Sequence, residues 1–481
     1  MRRRGTMVQA RQGPTLLALL FLACALPVMV MIALFTPPGQ SPDEPAHLVR
    51  AAGLLRGAVL PVRKPGTDVD TGTPIEQVGV KIDAGLLTAG FGKATQMEGR
   101  PVVTQADAAA MQATPWAHQL IFVSIPNTAT YFPLAYLPAA LGLAVGKLAG
   151  ATPFASIILA RLATALAYLA IGAAALALAS YGRALLLAVL LLPMSLFLGG
   201  TLDQDGILIA LSCLACAGLT RETPGGRKMA FVAFLVVLLA KPPYLPLLAL
   251  FALPLAWPGF WRRAGGVILA SLPVLLWVAI VVAFISVPFG KPPYHPGPLF
   301  AGAQGLTMDR TDPAANLHIL LAGKERLFTL PWHTLALFGT DKLKEMVGIL
   351  GLLQLSFPGW FYGLWWGAIG FAVLGAAMSS RPSVLPLPVS LLNAAAVLAV
   401  IVLTGWLIML SFYLSWTNVG LDFIDGLQGR YALLLLPFLL FAMPALGAWM
   451  PEWLAALPVL LLGVFEVGYL PMKLAAFFYV H

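Results

Sequence analysis

The stretch Ser41-Pro42-Asp43-Glu44-Pro45-Ala46-His47-Leu48-Val49-Arg50 gathers two acids, an imidazole and a guanidinium. Carboxylates so placed can act as general bases or as oxygen ligands for a divalent cation. The prolines state how the acids are held. A residue before proline is pushed out of the helical region, which predicts an extended Glu44, and Pro45 suits the first helical position. The run 46–60 can form a short amphipathic helix, with Leu48, Leu55 and Val59 on one face and His47, Arg50 and Leu54 on the next. Asp43 and Glu44 then sit at a helix N-terminus, whose partial positive charge favours their ionised forms. The plainer reading is that they cap a surface helix.

The elements that must position this stretch are apolar. The chain of 481 residues is 59% hydrophobic and only 10% charged, which is the composition of a polytopic membrane protein. A net charge of +9 invites a nucleic-acid reading, but the basic residues are scattered among short loops between apolar spans. That is the positive-inside pattern, not a binding patch. Cys24, Cys213 and Cys216 all fall inside apolar spans and read as small packing residues.

The first span, 14–34, follows Arg2, Arg3, Arg4 and Arg11, which places the N-terminus in the cytoplasm and reads as an uncleaved first helix. Residues 36–152 form a first external segment too long to be a connector. Within it the proline-rich run 131–149 is expected to lie along the interface or re-enter. Were it to cross, Arg183, Arg221, Arg227, Lys228, Arg262, Arg263 and Arg381 would all fall outside. Further spans are expected at 153–180, 184–200, 203–219, 228–241, 244–258, 265–287, 359–378, 386–414, 431–449 and 453–472, about eleven crossings in all. The fold class is therefore all-α, a polytopic helical bundle. Its blocks are 1–35, the loop 36–152 with juxtamembrane helices, 153–287, a second external loop 288–358, and 359–481.

This topology leaves Asp43, Glu44, Asp203, Asp205, Lys241, Asp422, Asp425 and Arg430 on one face with the long loop, mostly at span ends. Asp203-Gln204-Asp205 reads as a polar turn or as acids that bind a cation or a sugar hydroxyl. Lys241, before Pro242-Pro243, reads as an interfacial anchor or a phosphate contact. Arg430 opens a span from outside, where positive-inside bias disfavours arginine, and its fork suits a lipid phosphate. The aromatics at 357–366 read as an interfacial belt. His118, His295, His318 and His333 lack metal-ligand spacing.

Assembled, these motifs resemble a family of bacterial polytopic membrane proteins known only as a domain of unknown function, grouped with the GT-C class of lipid-linked-sugar glycosyltransferases. The resemblance rests on S-P-D-E-P-A-H-L-V-R-A (41–51), Y-F-P-L-A-Y-L-P (131–138), Ala160-Arg161-Leu162, Leu192-Pro193-Met194 with the acidic turn at Asp205, Ala240-Lys241-Pro242 and Gln428-Gly429-Arg430-Tyr431. It runs over nearly the full length, and the first and last motifs are the most specific.

The resemblance implies a GT-C fold and places Asp43, with Glu44 as partner, in the role of base or metal contact. It implies an enzyme of the cytoplasmic (inner) membrane with its site on the extracytoplasmic face. The donor would be a polyprenyl-phosphate sugar, the acceptor a glycan or glycolipid of the envelope. Lys241, Arg430 and Arg50 would hold the donor phosphate, and His47, Asp205, Asp203, Tyr131, Gln428 and Tyr431 would line the substrate site. A divalent cation (Mg, Mn or Ca) at Asp43, Glu44 or Asp205 is compatible with the oxygen ligands. The competing expectations are a transporter or lipid flippase, and a non-catalytic subunit of an envelope polysaccharide system.

Overall fold

The computed structural model describes residues 2–67, 72, 74–91, 102–253, 259–287, 299, 311–380, 386–447 and 449–480, without the side chains of 2–14. His295, Arg381 and the side chains of Arg2, Arg3, Arg4 and Arg11 lie outside the described residues, as does most of 288–310.

Helices dominate. In chain order they are α1 (Arg2–Phe35), α2 (Glu44–Leu54), α3 (Ala84–Phe91), α4 (Gln105–Ala113), α5 (Pro126–Ala129), α6 (Leu137–Leu148), α7 (Pro153–Leu178), α8 (Arg183–Leu191) and α9 (Pro193–Gly199). After them come α10 (Gln204–Thr220), α11 (Pro224–Ala240), α12 (Phe260–Ile280), α13 (Pro313–Ala322), α14 (Arg326–Gly348), α15 (Gly359–Ala377), α16 (Leu387–Ser415) and α17 (Glu452–Tyr479). Among the described residues six helices are long and apolar enough to cross a membrane. They lie in Thr15–Phe35, Pro153–Leu178, Phe260–Ile285, Gly359–Ala377, Leu387–Ser415 and Glu452–Tyr479. A seventh crossing is available if α9 and α10, bent by 118° at their break, act as one broken span.

Of the about eleven expected crossings, 203–219 and 228–241 form helices α10 and α11 of 17 residues each, just short of a full span, and the rest of the difference lies in the prolines. Segments 242–252 and 429–441 are as apolar as spans, but they coil as 3-10 turns around Pro242, Pro243, Pro246 and Pro437. Proline withholds the N–H that an α-helical ladder requires. Pro193 likewise divides the expected span 184–200 into α8 and α9. The run 131–149 is a 3-10 turn and α6, a short apolar helix packed along α7.

The first long segment is not all helical. It carries a three-stranded antiparallel sheet in the order β1 (Val62–Thr67), β2 (Pro74–Asp83), β3 (Leu120–Ser124). Val78, Val80 and Ile82 alternate along β2 and bury one face against Leu48, Val49 and Leu86. Period-two burial is what makes this stretch a strand. The sheet and α2 thus share a small core, distinct from the main helical core of α1, α7 to α11, α15 and α17.

Candidate functional site

Asp43 takes a left-handed backbone conformation, φ 57°, and stands at the N-cap of α2 without any side-chain cap hydrogen bond. Its carboxylate turns elsewhere: Oδ2 accepts a 2.6 Å hydrogen bond from Arg430 Nη2, and Oδ1 lies 3.3 Å from Asn127 Nδ2. The capping explanation for this acid therefore fails. A non-glycine residue held at positive φ is a local cost that surrounding contacts must sustain.

Arg430 is the hub. Its Nη1 donates to Asp203 Oδ2 at 2.6 Å, and its Nε lies 3.9 Å from Asp205 Oδ2. Gly429 sets its position. Gly429 N–H donates to Glu345 Oε2 of α14 at 2.6 Å, and a Cβ there would stand 2.1 Å from the Lys342 carbonyl oxygen. Only glycine allows this approach.

The second contribution comes from the α9–α10 break. Asp203 is the N-cap of α10, and its Oδ1 accepts from the Asp205 N–H at 2.8 Å. Gly206 permits the sharp bend, since a Cβ there would meet Gly199 Cα at 2.5 Å. Asp205 pairs with Lys241 Nζ at 2.7 Å, and that ammonium also lies 4.6 Å from the Tyr431 ring centroid. His47 completes the group. Its Nε2 is 3.4 Å from Asp203 Oδ1, and its Nδ1 is 2.7 Å from the Tyr136 hydroxyl.

Exposure separates the three aspartates: the Asp43 side chain is 36% exposed, against 0% for Asp203 and 3% for Asp205. Asp43 is thus the carboxylate an incoming molecule would meet. Burial acts to raise its pKa, but Arg430 and His47 override this and hold it below the ordinary aspartate value.

Other expected site residues are placed differently. Glu44 is not extended: it begins α2, and Asp43 takes the unusual backbone angle in its stead. Both Glu44 oxygens are bound by Arg161, and they also accept the N–H groups of Gly39 and Leu202. Arg50 gives its Nη atoms to the carbonyls of Ala58, Val59 and Tyr131, tying the loop together, and takes no part in the hydrogen bonds around Arg430. Helix α2 ends at Leu54, so Leu55 and Val59 fall beyond it and are exposed.

The metal trio Asp43, Glu44 and Asp205 is not assembled, because Glu44 is closed by Arg161 and Asp205 by Lys241. Among the described residues no group of three or more His, Cys, Asp or Glu is placed to hold a metal ion. Asp422 and Asp425 are absent from the cluster's hydrogen bonds, and the Asp422 carbonyl accompanies His333 instead.

Tyr131 lies parallel to His47, with ring centroids 6.5 Å apart, and Tyr431 stacks on Phe412. Gln428 stands just before the 3-10 turn with a buried, unpartnered Oε1. Gln204, fully buried at the start of α10, leaves both amide atoms without a partner. Gln204 and Tyr136 lie inside motifs the sequence offers but carry no role of their own there, and Asn127 does not stand out, since a lone amide in a polar loop is ordinary. Arg161 carries a signal: a charge well inside an apolar helix.

A helical bundle with six membrane-length apolar helices among the described residues, and ionisable groups gathered where a helix breaks, defines a polytopic membrane protein. Residues 26–442 match the family described as predicted membrane protein (DUF2142), and the chain belongs to that family. No curated protein and no solved structure matches it.

Proposed function

We propose that the protein is a membrane glycosyltransferase of GT-C type. In this reading it transfers a sugar from a polyprenyl-phosphate donor to an envelope glycan or glycolipid, on the extracytoplasmic face of the inner membrane. The observation that carries the reading is Asp43, a partly exposed carboxylate held on the same guanidinium that grips buried Asp203. A guanidinium fork and a lysine ammonium are the groups that bind phosphate, and here they stand within one cluster with a candidate base.

The chemistry follows from these contacts. Arg430 and Lys241 are neutralised by aspartates. The donor phosphate competes for their N–H groups, and Arg430 Nη2 passes from Asp43 to a phosphate oxygen. Asp43 then loses the cation that depressed its pKa and becomes a better base. It takes the proton of the acceptor hydroxyl as that oxygen bonds to the anomeric carbon. The bond from carbon to phosphate oxygen breaks, the polyprenyl phosphate leaves with the electron pair, and the anomeric configuration inverts.

The test is sugar transfer from a panel of polyprenyl-phosphate donors to envelope glycolipids, in membranes carrying wild-type or Asp43→Asn protein. Transfer by wild type and its loss in a stably inserted Asp43→Asn protein is the expected result. Equal transfer by both would remove Asp43 as base.

One feature favours transport as a second reading. Transporters bind substrates where helices are broken, and Asp203 and Asp205 sit at the 118° bend of α9 and α10. A lipid-flipping assay in vesicles, positive with donors that are never consumed, would favour it over transfer.

A further inference from the structure

Lys241 caps the C-terminus of α11, about 20 Å along the helix from Arg227, so the first turn of α11 lies at its far end from the aspartate cluster. A cavity of about 560 Å³ opens there between α11, the 3-10 segment 242–252 and α12. Arg227, Lys228 and Arg263 rim it, while Phe231, Leu248 and Leu269 are among its walls. None of its described lining residues is acidic.

Two of the cations are fixed in place. Arg227 donates to the carbonyls of Phe251 and Leu253, and Arg263 Nε donates to Ala252 at 2.9 Å. Beside the pocket, α12 turns an apolar face outward: Ile268 is 69% exposed, Leu269 67% and Leu276 63%. On a helix of membrane-spanning length such a face meets lipid chains.

We propose that this pocket binds the headgroup of an anionic phospholipid, with its acyl chains lying along α12. Clustered positive charge selects the phosphate. The apolar walls, continuous with the lipid-facing side of α12, select a lipid over a free anion. Basic pockets between membrane helices are suited to such headgroups. The site is separate from the aspartate cluster and does not depend on the transfer reaction.

The test is lipid binding to the full-length protein in a neutral detergent, followed by native mass spectrometry and thermal stability. The probes are dioleoyl phosphatidylglycerol, dioleoyl phosphatidylcholine and inorganic phosphate. Lys228→Gln removes one rim charge, and Gly266→Leu fills the cavity, since a Cβ at Gly266 meets nothing within 4 Å. Arg221→Gln removes a cation outside the pocket.

Phosphatidylglycerol is expected to bind saturably and raise the melting temperature, while phosphatidylcholine and phosphate do not. Its affinity should fall about five-fold in Lys228→Gln, the scale of one juxtamembrane charge. It should fall in Gly266→Leu as well and hold in Arg221→Gln. Unchanged binding in both pocket variants, an equal loss in Arg221→Gln, or equal stabilisation by phosphate would each overturn the proposal.

Discussion

Arg161 and Glu44 form a two-bond ion pair, Nε to Oε1 at 2.8 Å and Nη2 to Oε2 at 2.7 Å, and neither side chain reaches solvent. Arg161 also donates to the carbonyls of Ala33, Thr36 and Pro37, where α1 ends and its last C=O groups lack helical partners. One guanidinium thus closes a helix terminus and fixes the start of α2. Breaking such a pair from one side leaves an uncompensated buried charge, at a cost of about 3–5 kcal/mol. Glu44→Gln and Arg161→Met should each lower the unfolding midpoint sharply in detergent. The double variant should lose less than the two single losses summed.

Asp43→Asn should leave the fold intact, because its side chain is partly exposed and its amide can still accept from Arg430. On the proposed reaction it should lower turnover by about 10²–10⁴, the usual contribution of a general base. Turnover and melting temperature, measured on the same preparation, separate this variant from Glu44→Gln.

The lowered pKa of Asp43 has a definite sign in its linkage to stability. A depressed carboxylate contributes stability that is fully present above its unfolded pKa, about 3.9, and is lost as pH falls through the lower folded value. Between about pH 5 and 8 the difference in stability between wild type and Asp43→Asn should therefore be flat. The wild-type curve should approach the variant's only below about pH 4. A difference that changes near neutrality would show that Asp43 is not held in ionised form.

Arg430→Lys keeps the charge but not the fork, since one ammonium cannot reproduce two directed N–H contacts to Asp43 and Asp203. On the proposed reaction the donor KM should rise by about tenfold or more, the effect of about 1.4 kcal/mol. An unchanged KM would separate Arg430 from donor binding.

Gly429→Ala should act through backbone alone. Its Cβ would lie 2.1 Å from the Lys342 carbonyl, so the 3-10 turn or α14 must shift. Overpacking of this kind costs about 1–3 kcal/mol. A drop in melting temperature, with Arg430 displaced from the aspartates, is the expected outcome.

The sequence singled out charges that the fold brings together, for reasons that can be named. Asp43, Asp203, Asp205, Lys241 and Arg430 are charges at the ends of apolar runs, and the fold brings all five together. Their pairing was not legible, because it depends on contacts between residues 36 to 387 positions apart. Glu44 and Arg50 looked like site residues by proximity to Asp43. One step along α2 turns a side chain by about 100°, and their partners proved to be Arg161 and backbone carbonyls. The strand at 74–83 carried a period-two pattern that the membrane-protein composition overshadowed. The prolines at 242–246 and 437 were visible too, but hydropathy alone counts an apolar 3-10 coil as a span.

Arg430 lies 387 residues beyond Asp43, and 227 beyond Asp203. During synthesis both acids leave the ribosome long before the guanidinium that neutralises them. A nascent chain inserted only as far as α16 holds Lys241 for Asp205 but has no Arg430 for the other two aspartates. Asp203 then has only His47 beside it, and burying a carboxylate without its main cation is costly, so the cleft between α2 and the α9–α10 break is expected to stay hydrated until Arg430 arrives. Arrival of Arg430 is thereby coupled to closure of the site.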